Sequence, residues 1–101
     1  MAVTVQDVPD EDRYEVMADG ELAGFTAYHR RRGLIAFVHT QIDPRFEGRG
    51  LGSELVRGAL ADARREGMEV LPFCPFVNGY VERHREWADL VPEDLRERFG
   101  L

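Results

Sequence analysis

No lysine occurs in this chain of 101 residues; all 13 basic residues are arginine. A phosphate-binding loop of the Gly-Lys-Ser/Thr kind is thereby excluded. Cysteine is nearly absent as well. The single thiol, Cys74, cannot form an intramolecular disulfide, and with three scattered histidines it gives no zinc-ligand spacing. No metal is expected, and a reducing cytoplasm is the expected compartment. No apolar run reaches the roughly 18 residues that a membrane span needs, and the start MAVTVQDVPDED lacks a basic region and an apolar signal core. Neither a membrane nor an export route is expected. Positive charge is short too: 19 acidic against 13 basic residues give a net charge of −6. Such a field repels nucleic acid and anionic lipid, so no nucleic-acid partner is expected. Repeats, low-complexity tracts and Ser- or Pro-rich linkers are also missing, and residues 1–101 read as one domain. That length suffices for a core without staples, since folding then buries about two-thirds of the unfolded surface.

What is present begins as strand. Val3 to Gln6 alternates apolar and polar positions, Asp7 to Asp12 is rich in turn formers, and Tyr14, Val16 and Ala18 share one face of a second strand. Asp19-Gly20 signals a two-residue hairpin. Leu22 to His29 follows, then a polar turn of Arg30, Arg31, Arg32 and Gly33, read as a solvated hairpin tip. Leu34 to Ile42 places Ile35, Phe37, His39 and Gln41 on one face and Ala36, Val38, Thr40 and Ile42 on the other. After Asp43-Pro44 the period changes: Leu51, Leu55, Val56, Ala59, Leu60 and Ala63 draw an apolar stripe down one side of a helix that Gly67 terminates. Met68 to Phe73 reads as a further buried strand, Phe76 to His84 as a helix, and Pro92 to Phe99 as a closing amphipathic segment. Trp87, Leu90 and Val91 are expected to pack that end onto the sheet. The fold class is therefore α+β (mixed α/β), with a mostly antiparallel sheet, one main helix packed on it and short C-terminal helices.

The chemistry concentrates in Arg45-Phe46-Glu47-Gly48-Arg49-Gly50-Leu51-Gly52-Ser53, where glycines at alternate positions stand between a strand and a helix. A helix start leaves about four N–H groups without intrahelical partners and normally recruits Ser, Thr, Asp or Asn to cap them. None of those residues stands at positions 44 to 52. Bare amides, the positive end of the helix dipole and missing Cβ atoms make a seat for phosphate oxygens. Arg49 and Arg45 can add charge, and Ser53 a hydroxyl. A plain flexible turn satisfies the same glycines. A dinucleotide fold is disfavoured, because it wants early glycines in a parallel unit.

The run Ile42-Asp43-Pro44, then Glu47-Gly48-Arg49-Gly50-Leu51-Gly52 leading into Ser53-Glu54-Leu55-Val56, resembles the acetyl-CoA-binding motif Q/R-x-x-G-x-G/A of the GNAT N-acetyltransferases. The resemblance extends over roughly residues 13 to 91. Phe37-Val38-His39-Thr40 and Pro72-Phe73-Cys74-Pro75-Phe76, in so short a chain, resemble the minimal YjdJ-type branch, which lacks the helices between the first strands. Glu47 stands where Gln or Arg is usual. The resemblance implies that Glu47, Gly48, Arg49, Gly50, Leu51, Gly52 and Ser53 form the coenzyme A pyrophosphate loop. It further implies that Thr40 and Ile42 pair their backbone with the pantetheine arm, and that the thioester lies where two strands splay, near Cys74 and His39.

Three residues are candidates for catalysis. Cys74 can accept the acyl group or merely line its tunnel, and a thiol set among prolines and phenylalanines is usually inert. His39 can act as a base toward an amine, or be an ordinary half-buried histidine. Tyr80 matches, loosely, a general-acid tyrosine that the resemblance implies on the helix after Cys74. Asn78 and His84, within one turn of it, are secondary candidates beside their roles as capping amide and surface imidazole. The expected activity is an acetyl-CoA-dependent N-acyltransferase that passes an acetyl group directly to an amine, small-molecule or protein, with coenzyme A as cosubstrate and no metal. A non-catalytic CoA-binding module and a plain anion-binding interaction domain are the alternatives. A monomer or weak homodimer is expected.

Overall fold

A computed structural model describes all 101 residues. Strands β1 (Val3–Val8), β2 (Arg13–Ala18), β3 (Glu21–Arg31) and β4 (Leu34–Ile42) form an antiparallel meander. Helix α1 (Leu51–Arg65) then crosses over to β5 (Glu69–Pro72), which lies parallel to β4 at the sheet edge. Helix α2 (Pro75–Arg83) follows, and 3₁₀ turns at Arg85–Leu90, Glu93–Leu95 and Glu97–Phe99 complete the chain. The expected amphipathic segment from Pro92 thus resolves into two isolated turns. Gly100, at φ +74°, closes the second of them. The Asp19-Gly20 turn has positive φ at both positions, as the right-handed twist of a hairpin requires.

One face of the sheet is dry. Tyr14, Val16, Ala18, Tyr28, Ile35 and Phe37 form a single apolar cluster with Leu51, Leu55, Val56, Leu60 of α1 and Val77, Val81 of α2. The apolar stripe read from the sequence is the buried side of α1, which lies close enough to β1 that a Cβ on Gly58 would sit 2.9 Å from Val5. The opposite face carries half-buried and exposed residues such as Phe25, Ala27, Ala36 and Val38. Leu90 and Val91 are buried and Trp87 packs against the cluster, as expected of that segment.

Three local readings are corrected. β1 runs on through Asp7 and Val8, because Asp7 accepts a hydrogen bond from the Tyr28 hydroxyl (2.6 Å) and pairs with Arg30. Arg30 is accordingly not a solvated tip: it also pairs with Glu66 and lies over the Tyr28 ring. The third correction concerns alternation. A β-bulge leaves Val38 without a partner on β3, so that Tyr28 faces Phe37 while Ala27 faces His39. One extra residue exchanges the faces, and the dry side reads Ile35, Phe37, then Thr40 and Ile42.

The Tyr14 hydroxyl donates to Asp62 across the β2–α1 interface. Burial alone would raise the Asp62 carboxyl, but hydrogen bonds from Tyr14 and Arg65 outweigh it and hold that carboxyl below its ordinary range. A depressed carboxyl contributes stability above its unfolded value of about 3.9, and that contribution is lost as pH falls through the folded value. Burial, with the Asp62 hydrogen bond next, also raises the Tyr14 hydroxyl, whose contribution is lost above about pH 10. Tyr14→Phe should therefore cost about 1–3 kcal/mol at neutral pH. In urea titrations the deficit should shrink toward pH ~3; a deficit independent of pH would mean that packing, not the bond, carries the effect.

Candidate functional site

Between β4 and α1 the chain turns through a 3₁₀ segment, Pro44–Phe46, whose cap is Asp43: its carboxylate accepts the Arg45 N–H at 2.9 Å and faces the Arg45 guanidinium. The Arg45 backbone bond, then its side chain, lowers the Asp43 carboxyl. Phe46 is buried and anchors the loop, with the guanidinium groups of Arg45 and Arg49 5.3 and 5.4 Å from its ring centre. Arg45 is thus committed to Asp43, while Arg49 has no carboxylate partner.

Gly48 and Gly50 adopt φ +81° and +73°, and a Cβ at either would meet nothing within 4 Å. Glycine is needed there for the backbone turn, which points the loop at open space. Gly50 is the residue before α1, and no side chain caps the helix. The amides of residues 48 to 53 have no acceptor within the protein; the first bonded one is Glu54, to the Gly50 carbonyl at 3.2 Å. All of these residues but Arg49 line a cavity of about 260 Å³. Six unpaired donors at the positive end of a helix can take anionic oxygens as partners. Glu47 and Ser53 are exposed on its rim, and Leu51 anchors it from below, 2 % exposed. Gly52 serves packing: a Cβ there would lie 2.6 Å from the Phe76 ring of α2. Phe76, which no sequence argument had drawn toward the loop, is its wall; only the fold brings residues 52 and 76 together.

Beside the loop, β4 and β5 part. Their pairing ends at Phe37–Pro72, and the last link is the Cys74 N–H donated to the Phe37 carbonyl at 2.8 Å. Beyond it the β4 edge is unpaired. Asp43 donates its N–H to Ala23 on β3 (2.8 Å), so strand alternation turns Gln41 and His39 toward β3 and leaves the backbone of Thr40 and Ile42 on the free edge. On the dry side of this gap, Cys74 Sγ lies 3.3 Å from Thr40 Oγ1, which lies 2.9 Å from Thr26 Oγ1. Cys74 is 3 % and Thr26 0 % exposed, while Thr40 between them is half-buried.

His39 is not on the face of Phe37. The bulge moves it to the opposite, exposed face, where its ring centre is 6.0 Å from that of Phe25 and Nε2 is 3.4 Å from Gln41 Oε1. His39 and the Cys74 thiol therefore stand on opposite sides of β4. Tyr80 is buried on α2, stacked on His84 at 4.2 Å. Burial raises its hydroxyl, Arg57 and the Trp87 indole pull the other way, and Glu86 and Glu54 add to the rise. These neighbours belong to α1 and the C-terminal turn rather than to the gap. Asn78 lies one helical turn after Cys74 and donates its N–H to the Cys74 carbonyl, and its side-chain Oδ1 is buried without a partner. No cluster of potential metal ligands occurs, and no helix is long and apolar enough to cross a membrane.

Residues 13–90 match the family described as GCN5-related N-acetyl-transferase. No protein of curated function matches the chain. Among solved structures, a GCN5-like protein from Staphylococcus aureus superposes with a TM-score of 0.67 at 16% identity, over 88% of this chain and 87% of its own. Ard1 from Thermoplasma volcanium gives 0.52 at 25% identity, over 60% and 43%. N-acetylglutamate synthase from Neisseria gonorrhoeae, solved with coenzyme A and N-acetyl-glutamate, gives 0.51 at 16% identity, over 97% and 26%.

Proposed function

The chain belongs to the GCN5-related N-acetyltransferases, and from that premise we propose that it passes the acetyl group of acetyl-CoA directly to an amine, with no acyl-enzyme. The observation that carries this reading is the run of unpartnered amides at residues 48–53, opening beside an unpaired strand edge. The pyrophosphate takes its oxygens to those amides and to Arg49, and the pantetheine arm pairs with the backbone of Thr40 and Ile42. Both are fixed before the ligand arrives, so the binding energy is available for positioning. Strand N–H groups where β4 and β5 part polarise the thioester carbonyl. His39, on the exposed side, takes the proton of the attacking amine directly or through a water. The short connection Pro9–Glu11 between β1 and β2, in place of helices, supports the minimal YjdJ-type branch.

The Cys74 thiol has Thr40 Oγ1 as its polar neighbour and no imidazole or other general base, and a hydroxyl is a poor base for a thiol at neutral pH. Direct attack needs no enzyme nucleophile. Cys74→Ala is therefore expected to retain activity within about fivefold, a loss of roughly 1 kcal/mol in the barrier from altered packing. Incubation with acetyl-CoA alone, followed by intact-protein mass spectrometry, should leave the chain unacetylated at Cys74. A stoichiometric adduct at Cys74 that discharges onto an added amine would overturn direct transfer. Tight binding of acetyl-CoA without turnover across an amine panel would reduce the protein to a coenzyme-binding module.

A further inference from the structure

The second face of the sheet, away from α1 and α2, holds a cavity of about 590 Å³ at the β3–β4 turn, within the range of small-molecule sites. Strand register builds it: Leu71 lies beside Ala36, which lies beside His29, and Leu34 lies beside Arg31. Arg32 follows in the turn. Arg30 lends its backbone only, since its guanidinium is turned to Asp7 and Glu66. Arg31 and Arg32 have no carboxylate partner and are exposed. Glu69, opposite Leu34, is the acid beside the hollow, while Glu15, further along the same face, is paired with Arg13. Two free guanidinium groups against one carboxylate leave a positive, apolar-floored hollow on a chain whose net charge is −6.

This hollow adjoins the gap where β4 and β5 part. The dry side of that gap is occupied by Cys74, Thr40 and Thr26, and the open approach for an acceptor is from the other face, past the exposed Val38 and His39. On that face His39 is paired with Ala27, and Arg31 is four residues further along β3, about 13 Å at ~3.3 Å per residue. An arginine side chain is long enough to reach back over Leu34, which shortens the span to be bridged to about 10 Å.

We infer that the acceptor is a small amine carrying an anionic group about 10 Å from its nitrogen, the anion held by Arg31 and Arg32 and the chain between lying on Leu34, Ala36 and Leu71. The inference rests on the acetyl-transfer reading and adds the substrate class to it. A carboxylate and a phosphate share this chemistry; a guanidinium fork accepts either.

The test uses ω-amino carboxylates of graded length, ω-aminoalkyl phosphates and neutral alkylamines as acceptors with acetyl-CoA, together with calorimetric binding of the same compounds to the coenzyme-A-loaded protein. The intact protein should prefer an anionic acceptor of intermediate length, and the carboxylate and phosphate series show which anion it takes. In the Arg31→Ala/Arg32→Ala protein the preference for anionic over neutral acceptors should collapse by about tenfold to a hundredfold, through KM rather than kcat. Arg31→Lys should restore part of it. Equal use of anionic and neutral amines by the intact protein would overturn the inference while leaving acetyl transfer standing. Anionic amines that bind through Arg31 and Arg32 but are never acetylated would sink the transfer reading and leave the site. No binding of any anionic amine would remove the site.

Discussion

Replacing Gly50 by valine is expected to weaken coenzyme A binding by at least about a hundredfold, close to 3 kcal/mol. Gly50 stands at φ +73° directly before α1, a conformation that a β-branched residue reaches only with strain. The variant relieves the strain by rotating that peptide, which reorients the adjoining unpaired amides. Its side chain also enters the open space that an anion must occupy, since nothing else lies within 4 Å of that position. Gly50→Ala should lose less, having the backbone cost with little of the bulk. Because a charged ligand and Arg49 are involved, affinity in the parent should fall as salt rises. Titration calorimetry on folded protein reads both effects; equal affinity in parent and valine variant would remove this loop from the binding site.

A change of similar size, but in stability, is expected at Gly24. A Cβ there would lie 2.5 Å from the Gln41 carbonyl oxygen and 2.5 Å from Ile42 Cδ1. The first of these is backbone held in the β3–β4 ladder and cannot swing aside. Gly24→Val should therefore cost about 3 kcal/mol or more, lowering Tm by roughly 12–24 °C in a domain of this size. Gly79, in the middle of α2, provides the contrast. A Cβ there meets only the end of the Arg83 side chain, at 3.3 Å, and φ is ordinary. Gly79→Ala should raise stability by about 0.5–1 kcal/mol, since a helical glycine carries an entropic cost. Thermal denaturation of the pair decides it: if both substitutions are tolerated alike, close approach at Gly24 is not what its glycine provides.

The sequence is informative where one local rule decides. The stripe from Leu51 to Ala63 has helical period and is buried as such, the Asp19-Gly20 turn has the dihedrals its composition demands, and Gly67, at φ +68°, follows α1. The uncapped glycine start was visible for the same reason: capping is a matter of adjacent residues. The face of His39 is not legible in the sequence, because a bulge is a property of two strands. Nothing in Phe37-Val38-His39 marks which residue will lack a partner; that depends on how β3 and β4 pair. Phe76 over Gly52 and Thr26 beneath Cys74 escaped for a related reason, since each joins segments over ten residues apart through the fold. Arg30 looked like one of three equivalent turn arginines, and only the placement of Asp7 and Glu66 distinguishes it.

The parallel pairing of β4 with β5 has a consequence for how the molecule responds to damage. Four strands are joined to their sequence neighbours by short turns, so each closure costs little chain entropy. The fifth returns to the sheet only after the loop and the whole of α1, and holds β4 over four residue pairs, Leu34–Glu69 to Phe37–Pro72. The gap beside the glycine loop is framed by this one distant closure, the least redundant seam of the sheet. A substitution that loosens Pro72 or breaks the backbone link from Cys74 to Phe37, as Cys74→Ala does not, thus opens the frame of the site while the meander from Val3 to Ile42 stays paired, and the protein loses its grip on a ligand well before it loses its sheet. Conversely, a ligand that bridges the loop and the free edge of β4 sutures that seam, adding its binding energy where the chain itself is held by the fewest pairs.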